Sequence, residues 1–328
     1  MVIKNFLFAL LAVVLLIPTA EAAKPHKTGK AVSAKALRPV KVVKKPVRAR
    51  KVVASKPMIQ RVRVSRVVAA DSSDFGGRFD LKSAAALVIE QGEGRTLFAK
   101  NIDAVQPIAS ITKLMTAMVV LDAGLDLHER IAINEDDIDL IKHTGSRLRI
   151  GTILEREELL RLALMASENR AASALGRAYP GGRHAFVAAM NQKAADLGMV
   201  HTHFVDSNGL SSDNVSTAQD LAKMVTAAYG YPLIQEYTTT AAYAVRTNYG
   251  RMLSFHNTNG LVREGKWQID VSKTGYIAEA GRCLVMQARI AAKPVIIVLL
   301  DSTGKYTRIG DAIRIKRWIE SPITHVSG

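Results

Sequence analysis

Pro107-Ile108-Ala109-Ser110-Ile111-Thr112-Lys113-Leu114-Met115 places a serine where a helix should begin and a lysine three residues later. Positions i and i+3 share a helix face, so the ammonium group can reach the hydroxyl. The run that follows, Ile111 to Ala123, is almost wholly apolar and stops at Gly124, a good helix terminator. A helix apolar all round is a buried one. A serine and a lysine at the tip of a core helix suit an activated nucleophile, because a serine hydroxyl needs a nearby base before it attacks anything. The spacing alone proves little. Ser-x-x-Lys arises roughly once per chain by chance, and it recurs at Ser302-Thr303-Gly304-Lys305, in a turn that heads no buried helix.

Two further elements give the pair a context. Lys273-Thr274-Gly275 follows the strand-like Trp267 to Val271 and offers a cation, a hydroxyl donor and room for close substrate approach. Its duplicate, Lys27-Thr28-Gly29, sits in a basic segment with no scaffold to hold it. Ser167-Glu168-Asn169 ends the apolar run Leu162 to Ala166, where a buried helix end can fix a serine and an amide. Its rival, Ser212-Asp213-Asn214, lies in the polar stretch Ser207 to Ser216 and has an ordinary loop explanation.

Ser-x-x-Lys, Ser-x-Asn and Lys-Thr-Gly, in that order, resemble the signature of the penicillin-recognising serine enzymes, the class A β-lactamases and penicillin-binding proteins. The stretches Pro107 to Met118, Ala163 to Ala172 and Ser272 to Tyr276 look like those of low-molecular-mass penicillin-binding proteins that act as D-alanyl-D-alanine endopeptidases. So do Tyr179 to Gly182, Asn214 to Ala218 and Gly304 to Thr307, and the likeness covers roughly residues 84 to 320. The resemblance implies an acyl-enzyme on Ser110, with Lys113 as general base. Ser167 would relay a proton to the leaving amine, and Asn169 would hold a substrate amide and orient Lys113. Lys273 and Thr274 would receive the anionic end of the substrate. By the same analogy, the backbone N–H groups of Ser110 and Tyr276 would form the oxyanion hole. Burial and the second cation, Lys273, would both keep Lys113 neutral near pH 7. The expected partners are peptidoglycan peptides, with β-lactams as covalent inhibitors. No metal or other cofactor is expected. His201 and His203 are the closest histidine pair, and they read as loop residues.

The element pattern leads to an α+β fold. Ala84 to Gln91 and Arg95 to Lys100 flank Gly92-Glu93-Gly94, a hairpin pattern. Residues 134–249 read as a mostly helical insertion. Within it, Thr152 to Glu155 reads as a capping box before Leu159 to Ala166, with further helices at His184 to Leu197 and from Ser216 to about Tyr229. Trp267 to Tyr276, Cys283 to Ile290 and Val295 to Asp301 read as an antiparallel meander, and Thr307 to Glu320 as an amphipathic helix. Strands, then helices, then strands predict one antiparallel sheet drawn from both ends of the domain, with the helical subdomain inserted. This is also the β-lactamase and penicillin-binding-protein transpeptidase-like architecture that the resemblance implies.

The formal net charge of +16 invites a nucleic-acid reading, but its distribution argues otherwise. Residues 24–70 hold 15 Lys and Arg and no Asp or Glu, whereas residues 71–328 hold 29 basic against 28 acidic residues. The basic segment has no aromatic to stack on a base, so no specific nucleic acid is expected. It reads as a disordered tail, with residues 24–66 as a tether to anionic envelope polymers. Arg61 to Val64 alternates like a strand. Residues 1–22 read as an export signal: Lys4, the 12-residue apolar run Phe6 to Ile17, then Ala20-Glu21-Ala22. The expectation is therefore a periplasmic domain, 71–328, with no transmembrane anchor after cleavage. The lone cysteine, Cys283, reads as a packing residue.

Four functions compete on these residues. A D,D-endopeptidase cutting D-alanyl cross-links comes first, and a D,D-carboxypeptidase shares every catalytic residue with it. The short stretch after the last helix lacks the C-terminal extension of many carboxypeptidases, which favours the endopeptidase. A class A β-lactamase would need a Glu-x-x-x-Asn loop between Ser167 and Lys273, where none occurs. A non-catalytic envelope-binding protein would have no use for the full set of Ser110, Lys113 and Lys273.

Overall fold

A computed structural model of the chain describes residues 80–321. The signal at 1–22, the basic tail at 23–70 with its alternation at 61–64, and the Lys-Thr-Gly duplicate at 27–29 all lie outside the described residues.

The first apolar pair forms the expected hairpin, β1 (Ser83–Glu90) with β2 (Arg95–Lys100). A two-residue strand, β3 (Gln106–Pro107), leads into a 3-10 turn, Ala109–Ile111, and directly into α1 (Thr112–Asp122). Nine of the 11 residues of α1 are buried, which is why the run shows no polar face. Gly124 follows with φ +61°, the left-handed turn that ends a helix cheaply only at glycine.

Next come β4 (Arg130–Ala132) and β5 (Ile153–Glu155), paired with each other, then α2 (Arg156–Met165), α3 (Asn169–Arg177) and α4 (Gly182–Asp196). β6 (Val215–Ser216) returns to pair with β3, and α5 (Ala218–Tyr229) and α6 (Pro232–Thr239) follow. β7 (Ala242–Arg246) and β8 (Met252–His256) form a hairpin ahead of the short α7 (Gly260–Glu264). The chain then runs through β9 (Gln268–Ile277), β10 (Gly281–Ile290) and β11 (Lys293–Ser302) to α8 (Thr307–Glu320).

Two expectations need correcting. Thr152 to Glu155 is not a cap: Ile153–Glu155 is a strand, and the capping box belongs to Glu155 and Glu158. A glutamate side chain accepts the same backbone N–H bonds that a threonine would, so the box simply starts three residues later. The span 134–249 is also less purely helical than expected. It holds α2 to α6, but β5, β6 and β7 as well, and the β7–β8 hairpin carries the chain back toward the sheet.

The main sheet has the order β2-β1-β11-β10-β9, with every neighbouring pair antiparallel, so it does unite the two ends of the domain. Both of its faces are buried. Along β11, Ile296, Val298 and Leu300 enter a core shared with α1 and α5. Val295, Ile297 and Leu299 enter a second core under Ala312 and Ile315 of α8. Period-2 alternation between two apolar layers turns an alternating strand into an unbroken apolar run, which is how 295–300 reads. β9 lies at one edge of the sheet.

Candidate active site

The 3-10 turn holds Ser110, and the first turn of α1 holds Lys113. Lys113 Nζ lies 2.7 Å from Ser110 Oγ, 2.8 Å from Asn169 Oδ1, and within hydrogen-bond reach of the Asn208 carbonyl. The side chain is fully buried. Burial pushes its pKa down to about 7, against the opposing pull of the Asp206 and Glu168 carboxylates.

This arrangement has a definite polarity. The Asn169 carbonyl oxygen and the Asn208 carbonyl can only accept, so each must take an N–H from Lys113. A neutral amine has two N–H bonds and one lone pair. With both N–H bonds committed, the lone pair faces the Ser110 hydroxyl, which is where a general base must hold it.

The turn carrying Ser110 is clamped by two glycines. Ala109 takes φ +48°, an uncommon backbone setting for a residue with a side chain. Gly209 has φ +79°, and a Cβ there would sit 2.0 Å from the Ala109 carbonyl oxygen. From the sheet side, a Cβ on Gly275 would meet the Ile108 carbonyl oxygen at 2.9 Å and Ser110 N at 3.2 Å. The space at Gly275 thus admits the backbone of Ile108 to Ser110, where the sequence reading assigned it to the substrate. The same contact sets Ser110 N beside the Gly275–Tyr276 segment, the two places from which an oxyanion hole was expected. The Tyr276 side chain itself points outward, 55% exposed, under the Arg282 guanidinium.

Ser167 sits in the link between α2 and α3 with φ +59°. A non-glycine residue in this region stores strain, and such strain gathers where a side chain must be aimed. Its Oγ accepts from Lys273 Nζ at 2.8 Å. Lys273, buried on β9, also donates to the Thr274 carbonyl. Its pKa lies well below the usual lysine range because of burial first, then the charges of Lys113 and Arg308. Burial is the first cause of the low Lys113 pKa, opposed by the Asp206 and Glu168 carboxylates, and the two lysines repel each other, which adds to the lowering at Lys273. Thr274 Oγ1 donates to Thr258 Oγ1 at 2.6 Å, and Thr258 N in turn bonds the Met165 carbonyl just ahead of Ser167.

The structure therefore brings Ser110, Lys113, Ser167, Asn169, Lys273, Thr274 and Gly275 together and leaves the duplicates out. Ser302 is a buried strand residue bonded to Ser83, and Lys305 is exposed. Asn214 of the rival triplet has a structural task. Fully buried, it accepts from Val205 N and donates to Thr112 Oγ1 and the Asp206 carboxylate. Asp206 then accepts from Asn208 N and Ser211 N, shaping the loop that presents the Asn208 carbonyl to Lys113. Cys283 is buried, and burial pushes its thiol up to about 11, as suits a packing residue. His201 and His203 are both exposed, His201 in a turn and His203 in an isolated β-bridge with Val215.

Sequence reasoning missed Asn208, Thr258 and Arg308. Arg308 is half-buried on α8, its charge is felt at Lys273, and its Nε and one terminal nitrogen have no hydrogen-bond partner among the described residues. A half-buried guanidinium with open donors is a ready receptor for a carboxylate.

Known proteins bear on this site. The D-alanyl-D-alanine carboxypeptidase family profile matches residues 68–304. D-alanyl-D-alanine endopeptidases of Pseudomonas aeruginosa and Escherichia coli are 48% and 46% identical to this chain; each alignment covers 74% of this chain and 78% of the relative. Among solved structures, a Streptomyces DD-transpeptidase superposes with a TM-score of 0.68 at 30% identity, covering 73% of this chain and 97% of its own. A penicillin-binding protein of Listeria monocytogenes in its ampicillin-bound form gives 0.63 at 32% identity, covering 74% and 99%.

Proposed function

Because the chain belongs to the D-alanyl-D-alanine carboxypeptidase family of serine peptidases, we propose that it is an exported D,D-endopeptidase that hydrolyses D-alanyl cross-links in peptidoglycan. The observation that carries the reading is the fully buried Lys113 Nζ, 2.7 Å from Ser110 Oγ with its N–H bonds committed elsewhere. Ser110 Oγ attacks the D-alanyl carbonyl carbon while its proton passes to Lys113. The N–H groups of Ser110 and Tyr276 hold the resulting oxyanion. As the C–N bond breaks, the leaving amine takes a proton through Ser167, and a water then attacks the ester and restores the Ser110 hydroxyl. The names of the more similar relatives support cross-link cleavage; carboxypeptidase names attach to relatives near 30% identity.

The substrate strand lies along the edge strand β9, as extended peptides do on open sheet edges. Asn169 holds a substrate amide. Lys273, Thr274 and Arg308 take the carboxylate on the leaving side, supplying the anion that these crowded cations lack. Arg308→Ala should then raise KM by about tenfold or more with kcat nearly unchanged, because one charge-assisted hydrogen bond is worth about 1.5–3 kcal/mol. Steady-state kinetics on a D-alanyl-D-alanine peptide checks this, and a fall in kcat alone would contradict it.

Incubation with benzylpenicillin tests the acyl-enzyme route. One adduct per chain, mapped to Ser110 by peptide mass, is expected; labelling elsewhere or none would remove the route.

Residues 1–22 act as the export signal in this reading, and 24–66 as the envelope tether, which places the domain in the periplasm. No helix among the described residues is long and apolar enough to cross a membrane, and the family match begins only at residue 68. Deleting 24–66 should leave penicillin acylation near normal and abolish salt-sensitive sedimentation with envelope fragments. Collapse of acylation in the deletion would make the segment structural.

A further inference from the structure

Asn169 can present either end of its amide to Lys113, and the two ends have opposite consequences. Its oxygen takes an N–H and leaves the amine lone pair for Ser110. Its NH2 would capture that lone pair and disarm the base. Two residues outside the signature motifs, Asp139 and Thr144, decide the matter. Asp139 is buried, with its Oδ1 accepting from Ile141 N and Lys142 N at 2.9 Å and its Oδ2 from Thr144 N at 2.8 Å and Thr144 Oγ1 at 2.7 Å. A carboxylate with four donors around it can only accept, so the Thr144 proton must point at Asp139. Thr144 Oγ1 then offers only lone pairs to its other neighbour, Asn169 Nδ2, 3.0 Å away. The Asn169 oxygen is left facing Lys113 at 2.8 Å.

We propose that Thr144, oriented by Asp139, is a positioning residue for catalysis: it fixes the direction of the Asn169 amide and so aims the Lys113 lone pair at Ser110. The proposal rests on the acyl-enzyme reading above. The loop is well anchored for the task. Ser146 Oγ donates to Glu168 Oε1 at 2.6 Å, Arg170 donates to the Leu148 carbonyl at 2.8 Å, and Lys142 pairs with Glu279 beyond the end of β9. A relay held on both sides keeps one polarity, because no member can reverse without stranding a donor against a donor.

Thr144→Val keeps the shape and removes the hydroxyl; Thr144→Ser keeps the hydroxyl. The charged groups acting on Lys113 are Asp206 and Glu168, with Lys273 repelling it, and neither substitution touches them; Thr144→Val takes one donor from Asp139 and leaves its three backbone N–H donors. With Thr144→Val, Asn169 is free to turn its NH2 toward Lys113. That orientation disfavours the ammonium form, so two changes should occur together. The plateau of benzylpenicillin acylation falls about tenfold or more, and the midpoint of its pH profile moves to lower pH. Thr144→Ser stays within about threefold of the parent with its midpoint in place. A general loosening of the loop would lower the plateau and leave the midpoint fixed, and that result overturns the proposal. So does a Thr144→Val chain within twofold of the parent, or a Thr144→Ser chain as impaired as the valine. A parent chain that takes no penicillin adduct overturns the acyl-enzyme reading instead. The relay is still judged then by titrating Lys113 through its carbon-13-labelled side chain: a pKa in Thr144→Val equal to the parent's refutes it.

Discussion

Ser110→Ala should take no penicillin adduct and lose peptide hydrolysis by about 10^4- to 10^6-fold, the scale on which serine hydrolases depend on their nucleophile. The loss is chemical, because little of the fold depends on this hydroxyl. Oγ touches Lys113 Nζ and, at 3.5 Å, the Asn208 carbonyl. The turn is held by backbone contacts with Gly209 and Gly275, which the substitution leaves intact. The melting temperature should therefore stay close to the parent's while the adduct disappears from the intact mass. An adduct that persists in Ser110→Ala would move the nucleophile elsewhere in the chain.

Lys113→Arg should lower acylation by about 10^3-fold or more, because a guanidinium stays protonated throughout the working pH range and offers no lone pair. The parent's pH profile makes the same point without mutation. Burial sets the Lys113 pKa at about 7. Below that pH the ammonium form dominates and its lone pair is gone, so acylation should fall about tenfold per unit of acidification; above it the rate levels off. The stability consequence has a definite sign. Between about 7 and the ordinary lysine value of 10.5, the unfolded chain binds a proton that the folded chain does not, so raising the pH through this window stabilises the fold. An acylation rate that is flat from pH 5 to 9 would contradict a lysine base with this environment.

The three motifs and the fold were legible in the sequence because their signals are local. Apolar runs of helical length around Lys113, near-continuous apolar strands at 283–301, and a serine at the end of a buried helix each follow from a few neighbours. What the sequence hid is set by contacts over long separations. Asn208 lies 95 positions from Lys113, and nothing in Asp206 to Gly209 distinguishes a loop that presents a carbonyl to a buried amine from any other polar turn. Asn214 carried a visible triplet but the wrong one, and only its burial shows that it shapes that loop. Gly275 was marked correctly as a point of close approach, yet the approaching group is the backbone of Ile108 to Ser110. Arg308 reads as one more basic residue on an amphipathic helix until α8 packs on β10 and β11 and its charge is felt at Lys273. The repulsion between the two lysines was foreseeable, but the opposing pull of Asp206 and Glu168 on Lys113 was not, because both carboxylates lie far from it in sequence.

Digestion of purified cross-linked muropeptide dimers tests the central claim most directly. The parent chain should convert dimers to monomers. The reaction should be blocked by prior treatment with benzylpenicillin and absent in Ser110→Ala. Dimers that stay intact while uncross-linked pentapeptides lose their terminal D-alanine would contradict the endopeptidase and leave a carboxypeptidase built on the same seven residues.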